Sequence, residues 1–332
     1  MKTERELYET LSLVRHAENK IVEVYPTDVM QCPVHLSIGQ ESIAAALCSH
    51  LRAEDLKTGT HRSHALFLAN GGDLVAFFGE LLGRACGCSG GMGGSMHLVD
   101  RQRGLVGTTS IVGAALPIAV GLGMAVTRPV VVAALFGDGG ADEGAFAESL
   151  NFAKLKRLPI VFVCENNGYS VYTPRSARQA ALPSEVARSF GIETLTLPIE
   201  VANDVFALYR RFDLPIEAVR QGAGPLFVEC QTVRRYDHNG VRDDVKAGFR
   251  EASEAALFDN YCPMKLARRR MIEAEWAAID ADVKGRVDRA YQKALSAAPA
   301  SRSYNHLPFL EWSSSGNRNA TPRRSTQAGG RR

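Results

Sequence analysis

Three groups of residues have types and spacings that can do chemistry. The first is Gly137-Asp138-Gly139-Gly140, with twenty-six residues separating Gly139 from Asn166-Asn167. A carboxylate and a side-chain amide are hard oxygen donors. Magnesium takes such donors in octahedral geometry and bridges them to phosphates. The glycines let backbone N–H groups approach an anion, and a helix starting there points its positive end at it. A magnesium–diphosphate site follows from this local chemistry, although for Gly-Asp-Gly alone an aspartate capping a helix is the simpler reading. The second group is Thr60-His61-Arg62-Ser63-His64, in which the planar fork of arginine suits a phosphate. Standing alone it reads as a solvated loop. The third group is histidine, at His35 in His35-Leu-Ser-Ile-Gly-Gln-Glu41 and at His238. Histidine suits proton transfer near neutral pH, and His35 is equally a helix-entry residue bonded to backbone. The chain has neither Gly-x-Gly-x-x-Gly nor a Gly-Lys pair, so the dinucleotide and P-loop motifs are missing.

The elements around these residues decide whether they meet. Pro129 to Phe136 and Pro159 to Cys164 are continuous apolar runs, as in strands buried on both faces. Between them Asp142 to Lys156 reads as a helix with acids in its first turn and bases in its last. This is one βαβ unit with parallel strands and a right-handed crossover. It sets Asp138 and Asn166-Asn167 at neighbouring carboxyl ends, where open α/β sheets bind ligands. Further strands are expected at 193–197 and 226–232, flanking a helix at 202–221. Residues 4–24 read as an amphipathic helix, 35–51 as a turn into a helix, 58–69 as loop and 73–82 as helix. The stretch 83–107 is so rich in glycine that its backbone must approach something closely. Residues 111–126 are apolar but too short and too broken by Pro117, Gly121 and Gly123 for a membrane span, so a buried helix is expected. The expected fold is α/β, a mostly parallel sheet with helices on both faces and a helical C-terminal extension from 251. The domain runs over 1–297, and 313–332 is a disordered basic tail.

Composition narrows the function classes. Net charge is +3, and five arginines lie after Trp312 without an acid, so the rest of the chain is at −2. That argues for neither a nucleic-acid nor a membrane surface. Seven scattered cysteines form no zinc or redox pattern. They fit reduced thiols in a cytoplasmic protein.

The spacing Gly137-Asp138-Gly139 to Asn166-Asn167, with Glu165-Asn-Asn-Gly-Tyr-Ser170 around it, resembles the thiamine-diphosphate fingerprint. With the other islands it is similar to the alpha subunits of the pyruvate, branched-chain 2-oxo acid and acetoin dehydrogenases, over about residues 5–295. The resemblance implies that Asp138 and Asn167 ligate magnesium by side chain and Tyr169 by its carbonyl, with Gly139 and Gly140 against the diphosphate. His61 and Arg62 match a diphosphate-contacting pair whose first member is often tyrosine. His35 matches a histidine at the substrate end, and His64 one near the site, with a structural histidine holding the loop as the equal alternative. Ser110 and Val112 match residues that touch the aminopyrimidine, though glycine often stands at the first. His97, in the glycine run, fits a structural role better than a substrate contact. His238 matches a histidine that assists acyl transfer to lipoyl. There are two departures: Val233-Arg234 replaces Tyr-Arg, and Asn239 stands where animal pyruvate members carry a regulated serine.

The implied activity is decarboxylation of a 2-oxo acid, or cleavage of acetoin, with transfer of the acyl group to lipoyl on a partner acyltransferase. The implied partner is a beta subunit that supplies the activating glutamate in an α2β2 enzyme. A thiamine-dependent lyase or transketolase-like half, or a non-catalytic paralogue, are the other readings; complete metal ligands speak against the last.

Overall fold

Burial along the central strands dictates the architecture. In Val132–Gly137, Val132, Ala134 and Phe136 pack on one side and Ala133 and Leu135 on the other. A strand with no polar side belongs inside a sheet covered twice. The computed structural model describes residues 2–301. It contains strands β1 (Leu56–Gly59), β2 (Leu105–Thr108), β3 (Val132–Gly137), β4 (Ile160–Asn166), β5 (Tyr169–Ser170), β6 (Thr173–Pro174), β7 (Glu193–Leu197) and β8 (Leu226–Gln231). Six of them form one parallel sheet in the order β2-β1-β3-β4-β8-β7. The other two, β5 and β6, make a small antiparallel hairpin.

One face is covered by α1 (Glu4–Val24), α2 (Glu41–Cys48), α3 (His64–Ala69) and α4 (Leu74–Leu81). The other is covered by α5 (Ala115–Ala125), α6 (Gly144–Lys156) and α7 (Pro183–Ser189). After α8 (Ile199–Ala202), α9 (Val205–Arg220) returns to the first face. The remaining helices are α10 (Ala252–Tyr261), α11 (Pro263–Arg268) and α12 (Glu273–Leu295). The last is more than an extension: Ile279, Val283, Val287 and Tyr291 are buried in the same core as α1 and α4. The described residues up to Ala300 cluster as one compact unit. The tail expected at 313–332 lies outside the described residues.

Several local readings change. The stretch 58–69 is not loop throughout, because β1 ends at Gly59 and α3 starts at His64. β1 and β2 have four residues each, too few to show a period. The chain does not enter α6 at Asp142; a 3-10 turn over Asp138–Asp142 comes first and α6 begins at Gly144. The helix expected to be buried, α5, is buried on one side only, and Ile118 and Met124 are exposed. The glycine-rich run approaches Glu80. That buried carboxylate accepts the backbone N–H groups of Ser89, Gly91, Gly93 and Gly94. No helix among the described residues is long and apolar enough to cross a membrane.

Candidate cofactor and active site

The site forms where β3 and β4 end side by side, with Gly137 opposite Glu165. The next residue of the first strand is Asp138, and the second strand continues into Asn166 and Asn167. The two asparagines divide the work. Asn166 is spent on structure: its amide donates to Glu229 at 2.6 Å, and its oxygen accepts the N–H of Gly168. Asn167 donates to Gln40 Oε1 at 2.9 Å and accepts the N–H of Tyr169 at 3.2 Å beside the crevice. Asp138 is 1% exposed. Its Oδ2 pairs with Arg178 at 2.5 Å, and its Oδ1 has no partner. Burial raises the Asp138 pKa, and Arg178 only partly offsets it.

A second wall is zipped together by backbone. Gly39 has φ +106, and a Cβ there would come within 2.0 Å of the Val233 carbonyl. Only glycine permits that approach. The segment leading into α2 therefore lies against the segment after β8. Arg235 N–H donates to Ile38, Gly240 N–H to Val34, and the Thr232 hydroxyl to Gly39. This brings His35 to His238, with ring centroids 5.1 Å apart. Arg62 fastens the third segment by donating to the carbonyls of Leu36 and His238 at 2.6 and 3.0 Å. His61 is thereby set 4.7 Å from His35 and 5.2 Å from His238.

Burial, then the positive charge of Arg62, pushes the pKa of His61 down to about 3 and that of His238 to about 4. His35 is lowered further for the same two reasons. All three are neutral imidazoles at pH 7, in surroundings that disfavour the protonated form. Glu165 is the opposite case. Burial raises its carboxyl to about 8, although Arg62 and a hydrogen bond from Gln40 work against that.

Of the residues singled out from sequence, His61, Arg62, Val112, Asp138, Gly139, Gly140, Asn167, Tyr169 and His238 line one crevice. His35 packs behind His61 and His238. Two do not join them. His64 is fully buried, with Nδ1 3.1 Å from Glu18 and Nε2 2.7 Å from Ser95 Oγ. Both ring nitrogens are occupied, so His64 holds its loop and faces no substrate. Ser110 precedes the turn that presents Val112 and does not line the crevice. His97 is also structural, bonded through Nδ1 to the Gly93 carbonyl. Gly139 needs no ligand to explain it, since a Cβ there would meet Ser170 Oγ at 2.6 Å. Sequence reasoning missed Gln40, Glu165, Arg178 and Arg234. Gln40 and Glu165 sit inside quoted motifs, next to residues that were assigned. Arg234 was noted only as part of a departure from the family pattern, yet it lines the crevice and pairs with Asp244, whereas Arg178 carries no local signal and matters through Asp138.

Over residues 9–302 the chain matches the family model described as dehydrogenase E1 component. The chain belongs to that family. It is 32% identical over 302 residues to the alpha subunit of the acetoin:2,6-dichlorophenolindophenol oxidoreductase of Bacillus subtilis, covering 87% of each chain. The corresponding subunit of Cupriavidus necator is 33% identical, over 88% of this chain and 89% of the relative. The pyruvate dehydrogenase E1 component subunit alpha of Zymomonas mobilis is 33% identical, over 86% and 82%. These relatives are alpha subunits of oxidoreductases, and this E1 chain is of the same type. Members of the family use thiamine diphosphate. The crevice fits that group: Asp138, with one buried carboxylate oxygen unpartnered, lines it together with Asn167 and the guanidinium-bearing Arg62.

Proposed function

We propose that the chain is the alpha half of a magnesium- and thiamine-diphosphate-dependent E1 enzyme acting on a 2-oxo acid or acetoin. Asp138 and Asn167 would hold magnesium by side chain and Tyr169 by its carbonyl. Arg62 and His61 would face the diphosphate, and Val112 the pyrimidine ring. When bound, the cofactor supplies a carbon that can carry an acyl group. The chain's own contribution is to orient and to move protons. Arg62 fixes the diphosphate end while tying down the loop that carries His238. His35 and His238, both neutral, accept or pass protons at the substrate end. Burial of this wall excludes water.

The single observation that carries the reading is the unpartnered Asp138 Oδ1, buried at the carboxyl end of β3. A buried carboxylate oxygen left without a partner is costly, and a metal ion removes that cost.

The exposed apolar residues Ile111, Ile118 and Met124 lie on and just before α5, the helix that follows the crevice residue Val112. They support a beta subunit docking here, in an α2β2 assembly that delivers the acyl group to a lipoyl-bearing acyltransferase. Free cysteines throughout support a cytoplasmic setting. The test is reduction of an artificial electron acceptor by the chain co-purified with its beta partner, supplied with magnesium and thiamine diphosphate. Pyruvate, branched 2-oxo acids and acetoin are offered in turn. Cofactor-dependent turnover of one of them is expected. A folded, cofactor-loaded complex that turns over none of them would contradict the proposal.

A further inference from the structure

Three imidazoles meet at the inner end of the crevice, each from a different segment: His35 ahead of α2, His61 ahead of α3 and His238 beyond β8. One ring nitrogen of each lies within 4.8 Å of the other two. His35 is 4% exposed, yet its Nδ1 has no hydrogen-bond partner. The proton-accepting role proposed above gives no reason for gathering three histidines on one point, nor for leaving a buried nitrogen unpaired.

We propose that His35, His61 and His238 form a binding site for a divalent first-row transition metal of the zinc type, distinct from the magnesium position at Asp138 and Asn167. Neutral imidazole suits zinc, copper and nickel, whereas magnesium keeps to oxygen. Three nitrogen ligands with a fourth position open toward a cavity match an open zinc site. Tetrahedral bonds of about 2.0–2.1 Å put the ligand atoms about 3.3 Å apart. Metal entry would draw the three nitrogens together from within 4.8 Å of one another.

The surrounding charges select the ion. Arg62 and Arg234 face the imidazoles and oppose a dication, while Asp237 favours one. Affinity must come from the ligand bonds, which favours copper, nickel and zinc over manganese. Occupancy would bind the His238 segment to the body and withdraw His35 and His238 from proton transfer. Such an ion is thus a reversible inhibitor, relieved by a chelator. Metal binding uses only this chain's imidazoles and stands without the thiamine-diphosphate assignment, whereas the inhibition rests on the proton-transfer roles proposed above.

Cobalt(II) is the probe, because a tetrahedral nitrogen site gives it visible absorption. The full-length chain, in the assembly in which it purifies, is titrated with cobalt in excess magnesium. A saturable band at one ion per chain is expected, bleached by zinc. His35→Ala, His61→Ala and His238→Ala should each weaken cobalt binding at least about tenfold. Anomalous scattering at the zinc edge, from zinc-soaked crystals of the unaltered protein, gives the position without relying on any variant; the expected peak lies among the three rings. Absence of saturable binding, affinity indifferent to all three substitutions, or a peak elsewhere would overturn the proposal.

Discussion

Two buried aspartates sit at opposite ends of the same sheet and differ in one respect. Asp55, at the amino end before β1, is completely buried. Its oxygens accept two bonds from Arg220 at 2.7 and 2.8 Å, and the backbone N–H groups of Arg52 and Val131, each at 2.8 Å. Asp138, at the carboxyl end after β3, is as deeply buried, but one oxygen has no partner. Asp55 shows that this fold can satisfy a buried carboxylate when the group serves structure. The buried Asp244 also has one oxygen without a partner, but Asp138 differs from both in that it lines the crevice. His64 and His35 repeat the contrast among imidazoles: one bonded at both nitrogens, the other with Nδ1 free.

The contrast makes graded predictions for stability. Asp55→Ala should cost the most, about 3–5 kcal/mol in urea unfolding, because it strands the buried Arg220 guanidinium. A loss below about 1 kcal/mol would mean that the amino-end network is not structural. His64→Ala should follow. It leaves the buried Glu18 and Ser95 short of a partner at about 1–3 kcal/mol for each group left unsatisfied. Thermal melting of the variant would register this before any assay of turnover; unchanged melting with lost turnover would return His64 to the active site.

Glu165→Gln tests the crevice through pH. The Glu165 pKa is raised from 4.5 to about 8 by burial. The unfolded chain thus releases this proton before the folded one does. Its stabilising contribution is full below about pH 4.5 and is lost as pH rises to about 8. Glutamine cannot ionise, so the melting temperature of the variant should gain on the parent across that window, most at the alkaline end. A gap independent of pH would show that Glu165 does not hold its proton. The crevice histidines act with the opposite sign. Their folded pKa values are depressed to about 3 and 4, so their contribution is present above about pH 6.5 and is lost as pH falls through those values.

The parts of the fold that were legible in sequence are those whose residues declare their surroundings. The apolar runs of β3 and β4 require double coverage, and the turn between β3 and α6 carries glycine and acid together, so the sequence alone puts Asp138 and Asn167 at one crevice. β1 and β2 were missed because four residues ending in Thr-Gly or Gly-Thr show no alternation. His61 and His64 are three positions apart in one motif, and sequence has no means of telling which faces Glu18 and Ser95. That is decided by the start of α3, which turns His64 into the core. Gln40 and Glu165 acquire meaning only through partners far along the chain, Asn167 and Arg62. The half-buried face of α5 was read as fully buried because apolar composition looks the same whether its partner is intrachain or not.

Asp138→Asn stands at the small end of the stability scale and at the large end for function. It removes a desolvated carboxylate while Arg178 keeps its pairing with Asp142. The melting temperature should therefore stay within what about 1 kcal/mol produces. Magnesium-dependent binding of thiamine diphosphate to the assembled enzyme, followed by calorimetry, should weaken by at least about a hundredfold, as expected for loss of a direct metal ligand. Unchanged cofactor affinity in a folded Asp138→Asn enzyme would contradict the assignment of Asp138 as the metal-holding residue, and with it the account of this crevice.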